Sequence, residues 1–141
     1  MKVRELNKSI ADCILSSEKM SFCLVGAVGT GKSEIMNIIY ENLGSNAFWF
    51  NYDQFNKQTP KKYKEKILTH INLILNRKNK YKNFLIELEM LSNKDLEDIR
   101  EKGLNKLIKQ CRKLDCKIII SLYPEQEFEW YHENIKLKRI I

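Results

Sequence analysis

The sequence predicts an α/β domain with a mainly parallel sheet flanked by helices. Three observations carry that expectation. Short apolar or aromatic runs alternate with longer stretches of helical periodicity, the order of strand–helix–strand units. The runs SFCLV (Ser21 to Val25) and KIIISL (Lys117 to Leu122) are short and almost wholly apolar, as strands covered on both faces require. Between the first of these and a helical stretch lies GAVGTGKS, Gly26 to Ser33, with three glycines in six residues.

The elements follow in order. Arg4 to Ser17 reads as a short helix or an irregular lead-in. Phe22 to Val25 is the first strand. Ser33 to Leu43 is a helix with Ile35, Met36, Ile38, Ile39 and Leu43 mostly on one face, and Gly44 stops it. Asn46 to Tyr52 (NAFWFNY) is short and aromatic-rich and reads as a strand, with Asp53 at its C-terminal end. Thr59-Pro60 opens a helix whose apolar positions Tyr63, Ile67, Ile71, Ile74 and Leu75 recur at helical spacing. Lys78 to Lys82 is a basic loop. Asn83 to Leu91 (NFLIELEML) begins as a third strand. Ser92 precedes a helix over Lys94 to Leu114, striped by Leu96, Ile99, Leu104, Leu107, Ile108, Cys111 and Leu114. Lys117 to Leu122 is a buried strand by composition, and Asn134 to Ile141 alternates like a last strand. With no repeat, linker or low-complexity segment, residues 1–141 read as one domain with 1–20 as its lead-in.

Composition narrows the class. No apolar run approaches the ~18 residues of a membrane span. The N-terminal stretch is broken by Arg4, Glu5, Lys8 and Asp12 and is not a signal peptide, which points to the cytoplasm of a cell or host cell. Cys13, Cys23, Cys111 and Cys116 form no C-x-x-C, and His70 and His132 stand alone, so buried thiols are expected rather than a metal site. The net charge is +7, with clusters at Lys57 to Lys66, Arg77 to Lys82 and Lys136 to Arg139. Such clusters can follow a phosphate backbone, or they are a lysine-rich solvated surface; the composition leaves both open.

The glycine loop carries the chemistry. Gly26, Gly31, Lys32 and Ser33 satisfy G-x-x-x-x-G-K-[ST], set between a strand and a helix as a phosphate-binding P-loop requires. Glycines let backbone N–H groups approach phosphate oxygens closely, and the helix N-terminus adds unpaired donors and a positive dipole end. The expected nucleotide-binding residues are Gly26, Ala27, Val28, Gly29, Thr30, Gly31, Lys32, Ser33 and Glu34. Lys32 reaches the β- and γ-phosphates, and Ser33 ligates Mg²⁺.

Hydrolysis also needs a carboxylate near the loop. NFLIELEML offers two, which a continuing strand would point to the same face. Glu87, ending the apolar stretch Phe84 to Ile86, is the expected catalytic group; Glu89 reads as a solvated residue at the strand-to-helix junction. Asp53 has two readings, a contact to Mg²⁺, water or substrate, or a cap of the turn that follows it. Trp49 and Trp130 read as packing residues.

Taken in order, these segments resemble the FtsK/SpoIIIE–HerA class of DNA-translocating ATPases within the RecA-like P-loop fold. KMSFCLVGAVGTGKSEIMNIIYENL looks like that family's lead-in, P-loop and first helix; FLIELEML looks like its acidic strand; LIKQCRKLDCKIIISLYP looks like the helix, turn and strand before its sensor. The resemblance implies a RecA-like fold, ATP and Mg²⁺ as cofactors, DNA as partner and a homo-oligomeric ring with an arginine donated by a neighbour. It carries the catalytic carboxylate onto Glu87. Two positions depart from the pattern: Ile86 stands where a magnesium-linked aspartate is usual, and Leu122 where a sensor glutamine is usual. Three readings follow. The chain is an ATPase acting on double-stranded DNA; or it is a P-loop module that holds ATP as a switch with little hydrolysis; or it is a P-loop kinase for a small substrate. No arginine-rich lid supports the third. The absence of N-K-x-D favours ATP over GTP.

Overall fold

The computed structural model describes residues 3–17, 21–27, 29, 31–51, 59–76, 83–113, 116–126 and 136–139. The element order is α1 (Val3–Ser16), β1 (Ser21–Val25), α2 (Lys32–Leu43), β2 (Ala47–Phe50), α3 (Pro60–Asn76), β3 (Asn83–Glu87), α4 (Asn93–Ile99), α5 (Asn105–Lys113), β4 (Lys117–Leu122) and β5 (Lys136–Arg139). The strands form one five-stranded sheet in the order β2-β3-β4-β1-β5. Every pairing is parallel, with Phe22 opposite Ile119, Phe84 opposite Ile118 and Glu87 opposite Ser121. This is the parallel α/β sheet that the sequence predicts.

Strands β1 to β4 divide their side chains between two cores. Cys23, Val25, Phe84, Ile86, Ile118, Ile120 and Leu122 face one apolar cluster, with Tyr63, Ile67 and Ile71 of α3 and the apolar stripe of α4 and α5. Phe22, Leu24, Leu85 and Ile119 face the other, with Ile35, Met36 and Ile39 of α2 and Ala11 and Ile14 of α1. Burial on both faces is why these strands carry no polar alternation. The lead-in is a regular helix. Among its described side chains, Asn7, Ala11 and Ile14, at helical spacing, are buried.

The helix expected from Lys94 runs without a gap from Asn93 to Lys113, but it widens into a π-type turn at Arg100–Leu104 between α4 and α5. Ile99 and Leu104 are five apart, and a turn wider than 3.6 residues keeps both on the buried stripe. Gly103 lets α3 approach, because a Cβ there would stand 2.8 Å from Ile71 Cγ2. The Ser92 hydroxyl accepts from Asp95 N at 3.2 Å and caps α4. Lys64 of α3 donates to Asp98 at 2.7 Å and Asp95 at 3.0 Å, which holds the Asp98 carboxyl below its ordinary range. Gly44 ends α2 with φ 62°, and its N–H donates to Tyr40 O. Of the cysteines, Cys23, Cys111 and Cys116 are buried as expected, but Cys13 lies on the exposed side of α1. Burial pushes the Cys111 thiol up to about 12. Trp49 is half-buried and packs 5.5 Å from Tyr40, ring to ring. Trp130 lies outside the described residues. Among them, no helix is long and apolar enough to cross a membrane.

Tyr63 ties α3 to the sheet. Its hydroxyl is shared between two carbonyls at adjacent strand ends, Phe50 O at 2.8 Å and Glu87 O at 2.6 Å. Burial, then the charges of Glu87 and Glu89, keep the phenol protonated. Tyr63→Phe leaves the ring packed but removes this donor. A loss of about 1–3 kcal/mol is expected in urea unfolding, at an unchanged denaturant slope.

Candidate functional site

The site is built where β1, β3 and β4 end side by side. In an open parallel sheet, this carboxyl edge is where ligands bind. Gly26 closes β1 by donating its N–H to Leu122 O at 3.2 Å. The chain then turns through Gly29 (φ 81°) and Gly31 (φ 96°), left-handed conformations that favour glycine. Gly31 is the N-cap of α2 and offers no side-chain acceptor to the first-turn N–H groups. That donor set fits a phosphate. Ser33 stands exposed in the first turn, and Glu34 is half-buried beside it. Val28 and Thr30 lie outside the described residues, as does Asp53.

Lys32 is turned into the site and is only 6% exposed. Its ammonium donates to Gly26 O and to Ala27 O, the latter at 3.0 Å. It stands 4.0 Å from Glu89 Oε2 and 4.8 Å from the centre of the Tyr123 ring. Burial lowers its pKa, and the carboxylates of Glu89, Glu125 and Glu87 oppose that shift in decreasing order.

The carboxylate 4.0 Å from the Lys32 ammonium is that of Glu89, and of the two glutamates Glu89 has the larger charge effect on Lys32. The Ser121 hydroxyl at the end of β4 donates to Glu89 Oε1 at 2.6 Å, and Leu88 N donates to the same oxygen at 3.1 Å. The expectation of a shared strand face fails because β3 ends at Glu87. Leu88 and Leu91 are buried, and the chain turns between them, with Leu91 N bonded to Leu88 O at 3.1 Å. The turn aims Glu89 at Lys32. Glu87 sits half-buried at the end of β3, with its carbonyl on Tyr63. Ile86 and Leu122, the two departures, are both fully buried in the core. The polar group at the end of β4 is Ser121, one residue before Leu122. It is legible in hindsight as the one uncharged polar residue of KIIISL: a polar residue in a buried strand is the informative kind.

A contribution from α1 was not foreseen. Asn7 is 1% exposed and donates through Nδ2 to Glu34 Oε2 at 3.2 Å. Its carboxamide lies against Gly31, with the oxygen 2.9 Å from where a Cβ would stand.

Residues 3–136 match the KAP family P-loop domain. The chain belongs to that family and is a P-loop NTPase. The match supports the P-loop part of the sequence resemblance, and it names the KAP family where the sequence reading named FtsK/SpoIIIE–HerA. No curated protein matches the chain. Among solved structures, one titled "Structure of C. elegans PCH-2" is similar, with 16% identity and a TM-score of 0.35. The similarity covers 97% of this chain and 40% of that one; so distant a likeness says nothing of what this chain does.

Gly31→Ala tests the loop. The methyl would meet the Asn7 carboxamide, and alanine at φ 96° carries about 1–2 kcal/mol of strain. A lower melting temperature together with weakened nucleotide binding is expected; a variant unchanged in both would contradict the loop geometry.

Proposed function

We propose that this chain binds ATP with Mg²⁺ at Gly26–Glu34 and hydrolyses it slowly, with Glu89 as the acidic group of the reaction. The observation that supports this reading is the assembly of Lys32, Glu89 and Ser121 beside the loop, with Lys32 Nζ and Glu89 Oε2 4.0 Å apart. Without nucleotide, the carboxylate neutralises the buried ammonium. With ATP, the loop and first-turn N–H groups hold the phosphate oxygens, and Lys32 exchanges Glu89 for the β- and γ-phosphates. Glu89, still held by Ser121, then orients the water that attacks the γ-phosphorus and accepts its proton, while the bond from the γ-phosphorus to the bridging oxygen breaks and ADP leaves. Mg²⁺, held through Ser33 Oγ, would supply charge neutralisation on the phosphates. Slow turnover is inferred because the usual aspartate and sensor positions are the core residues Ile86 and Leu122.

A second reading adds double-stranded DNA as the partner, moved or held by a homo-oligomeric ring. The net charge of +7 supports it. Of the lysines in 57–66, Lys61 and Lys62 are exposed on α3, whereas Lys64 is engaged by Asp95 and Asp98. The clusters Arg77 to Lys82 and Lys136 to Arg139 lie outside what the structure describes of side chains. Phosphate release measured with and without duplex DNA separates the readings: stimulation supports a DNA-coupled ATPase, and indifference supports a nucleotide-held switch.

Two variants test the site itself. Lys32→Ala is expected to weaken ATP binding about 10- to 100-fold by calorimetry, the worth of a charged hydrogen bond. Glu89→Gln is expected to keep binding within a few-fold and to lower turnover about 100-fold or more. Wild-type turnover in Glu89→Gln, with a dead Glu87→Gln, would return the catalytic role to Glu87.

A further inference from the structure

The turn that carries Glu89 is held from outside itself. Gln126 belongs to a short turn after β4 and is 5% exposed. Its Nε2 donates to Leu91 O at 2.9 Å, Leu88 O at 3.2 Å and, more weakly, Glu89 O at 3.4 Å. Its Oε1 accepts from Tyr123 N at 2.8 Å. The orientation is fixed by chemistry, since carbonyls only accept and a backbone N–H only donates. One carboxamide thus grips three carbonyls of the 88–91 turn and one N–H of the segment that carries Tyr123. The Glu89 side chain leaves that turn toward Ser121 and Lys32.

We propose that Gln126 is a positioning residue for the reaction: it sets the turn Leu88 to Leu91 so that the Glu89 carboxylate meets Lys32 and Ser121. The Glu89 side chain starts from this turn, so a shift of the turn moves the positions from which its carboxylate can reach Lys32 and Ser121. Losses on the order of 100-fold accompany displacements of about 1 Å at a reacting centre. Among the described residues, the hydrogen bonds of Gln126 go to the 88–91 turn and to Tyr123 N rather than to the loop or Lys32, so the larger effect is expected on the chemical step rather than on nucleotide binding. This rests on Glu89 being the acidic group, as proposed above.

The test has an arm that needs no turnover. A carbodiimide joins an adjacent lysine and carboxylate as an amide, and peptide mass spectrometry counts the product. In the wild-type chain, links are expected between Lys32 and Glu89 and between Lys64 and Asp98; the second pair, 2.7 Å apart, reports the general fold. Gln126→Glu keeps the size and the acceptor for Tyr123 N but removes every donor to the turn. It should lose most of the Lys32–Glu89 link and retain Lys64–Asp98; Gln126→Ala should do the same. In the kinetic arm, kcat should fall about 10- to 100-fold at unchanged KM, with no further fall when Gln126→Ala is added to Glu89→Gln. Three results overturn the proposal: an intact Lys32–Glu89 link in both Gln126 variants, an equal loss of both links, or a wild-type chain that forms only Lys64–Asp98. If wild type shows no turnover but Gln126→Glu selectively loses the Lys32–Glu89 link, the positioning role stands and the hydrolysis reading fails.

Discussion

A buried ammonium at the end of β1 is the constraint on which the site depends. Lys32 is nearly inaccessible, and an uncompensated charge there would cost several kcal/mol. The chain answers with two carbonyls of its own loop, the Glu89 carboxylate and the face of Tyr123. They come from three segments far apart in sequence. A phosphate would supply the same compensation. In the proposed function, that is the arrangement a nucleotide would replace.

That convergence requires the strand order. Because β4 lies between β1 and β3, Ser121 stands beside Glu87 on one side, while its neighbour Leu122 offers its carbonyl to Gly26 on the other. The order also separates the helices, with α1 and α2 over one apolar face and α3 to α5 over the other. Two packed faces fix the strand ends to which the site residues are attached. Tyr63 and Gln126 then join neighbouring strand ends through backbone carbonyls, so the site's frame is polar and directional where the cores are not. From the opposite side, α1 presses Asn7 against Gly31, where only a glycine leaves room.

Much of this was legible along the chain. The loop from Gly26 to Ser33 reads directly because its function is a local backbone shape, and glycines in a fixed spacing encode it. The strands read from apolar composition, and α2 and α3 from periodicity and their end residues Gly44 and Pro60. The approach of Glu89 to Lys32 was not legible, because alternation holds only while the strand lasts, and burial of Leu88 and Leu91 ends it at Glu87. The wide turn between α4 and α5 was not legible because a five-residue gap in an apolar stripe resembles ordinary scatter.

The sequence by itself determined the class of the fold, the phosphate loop and the lysine that serves it, since each is set by residues within a few positions of one another. The tertiary structure alone decided which glutamate faces Lys32, that Ser121 holds it, and that Asn7 and Gln126 brace the two sides of the site. Those contacts join residues roughly 25 to 60 positions apart. Their partners are chosen by strand order and by the satisfaction of buried polar groups, and neither leaves a periodic trace along the chain.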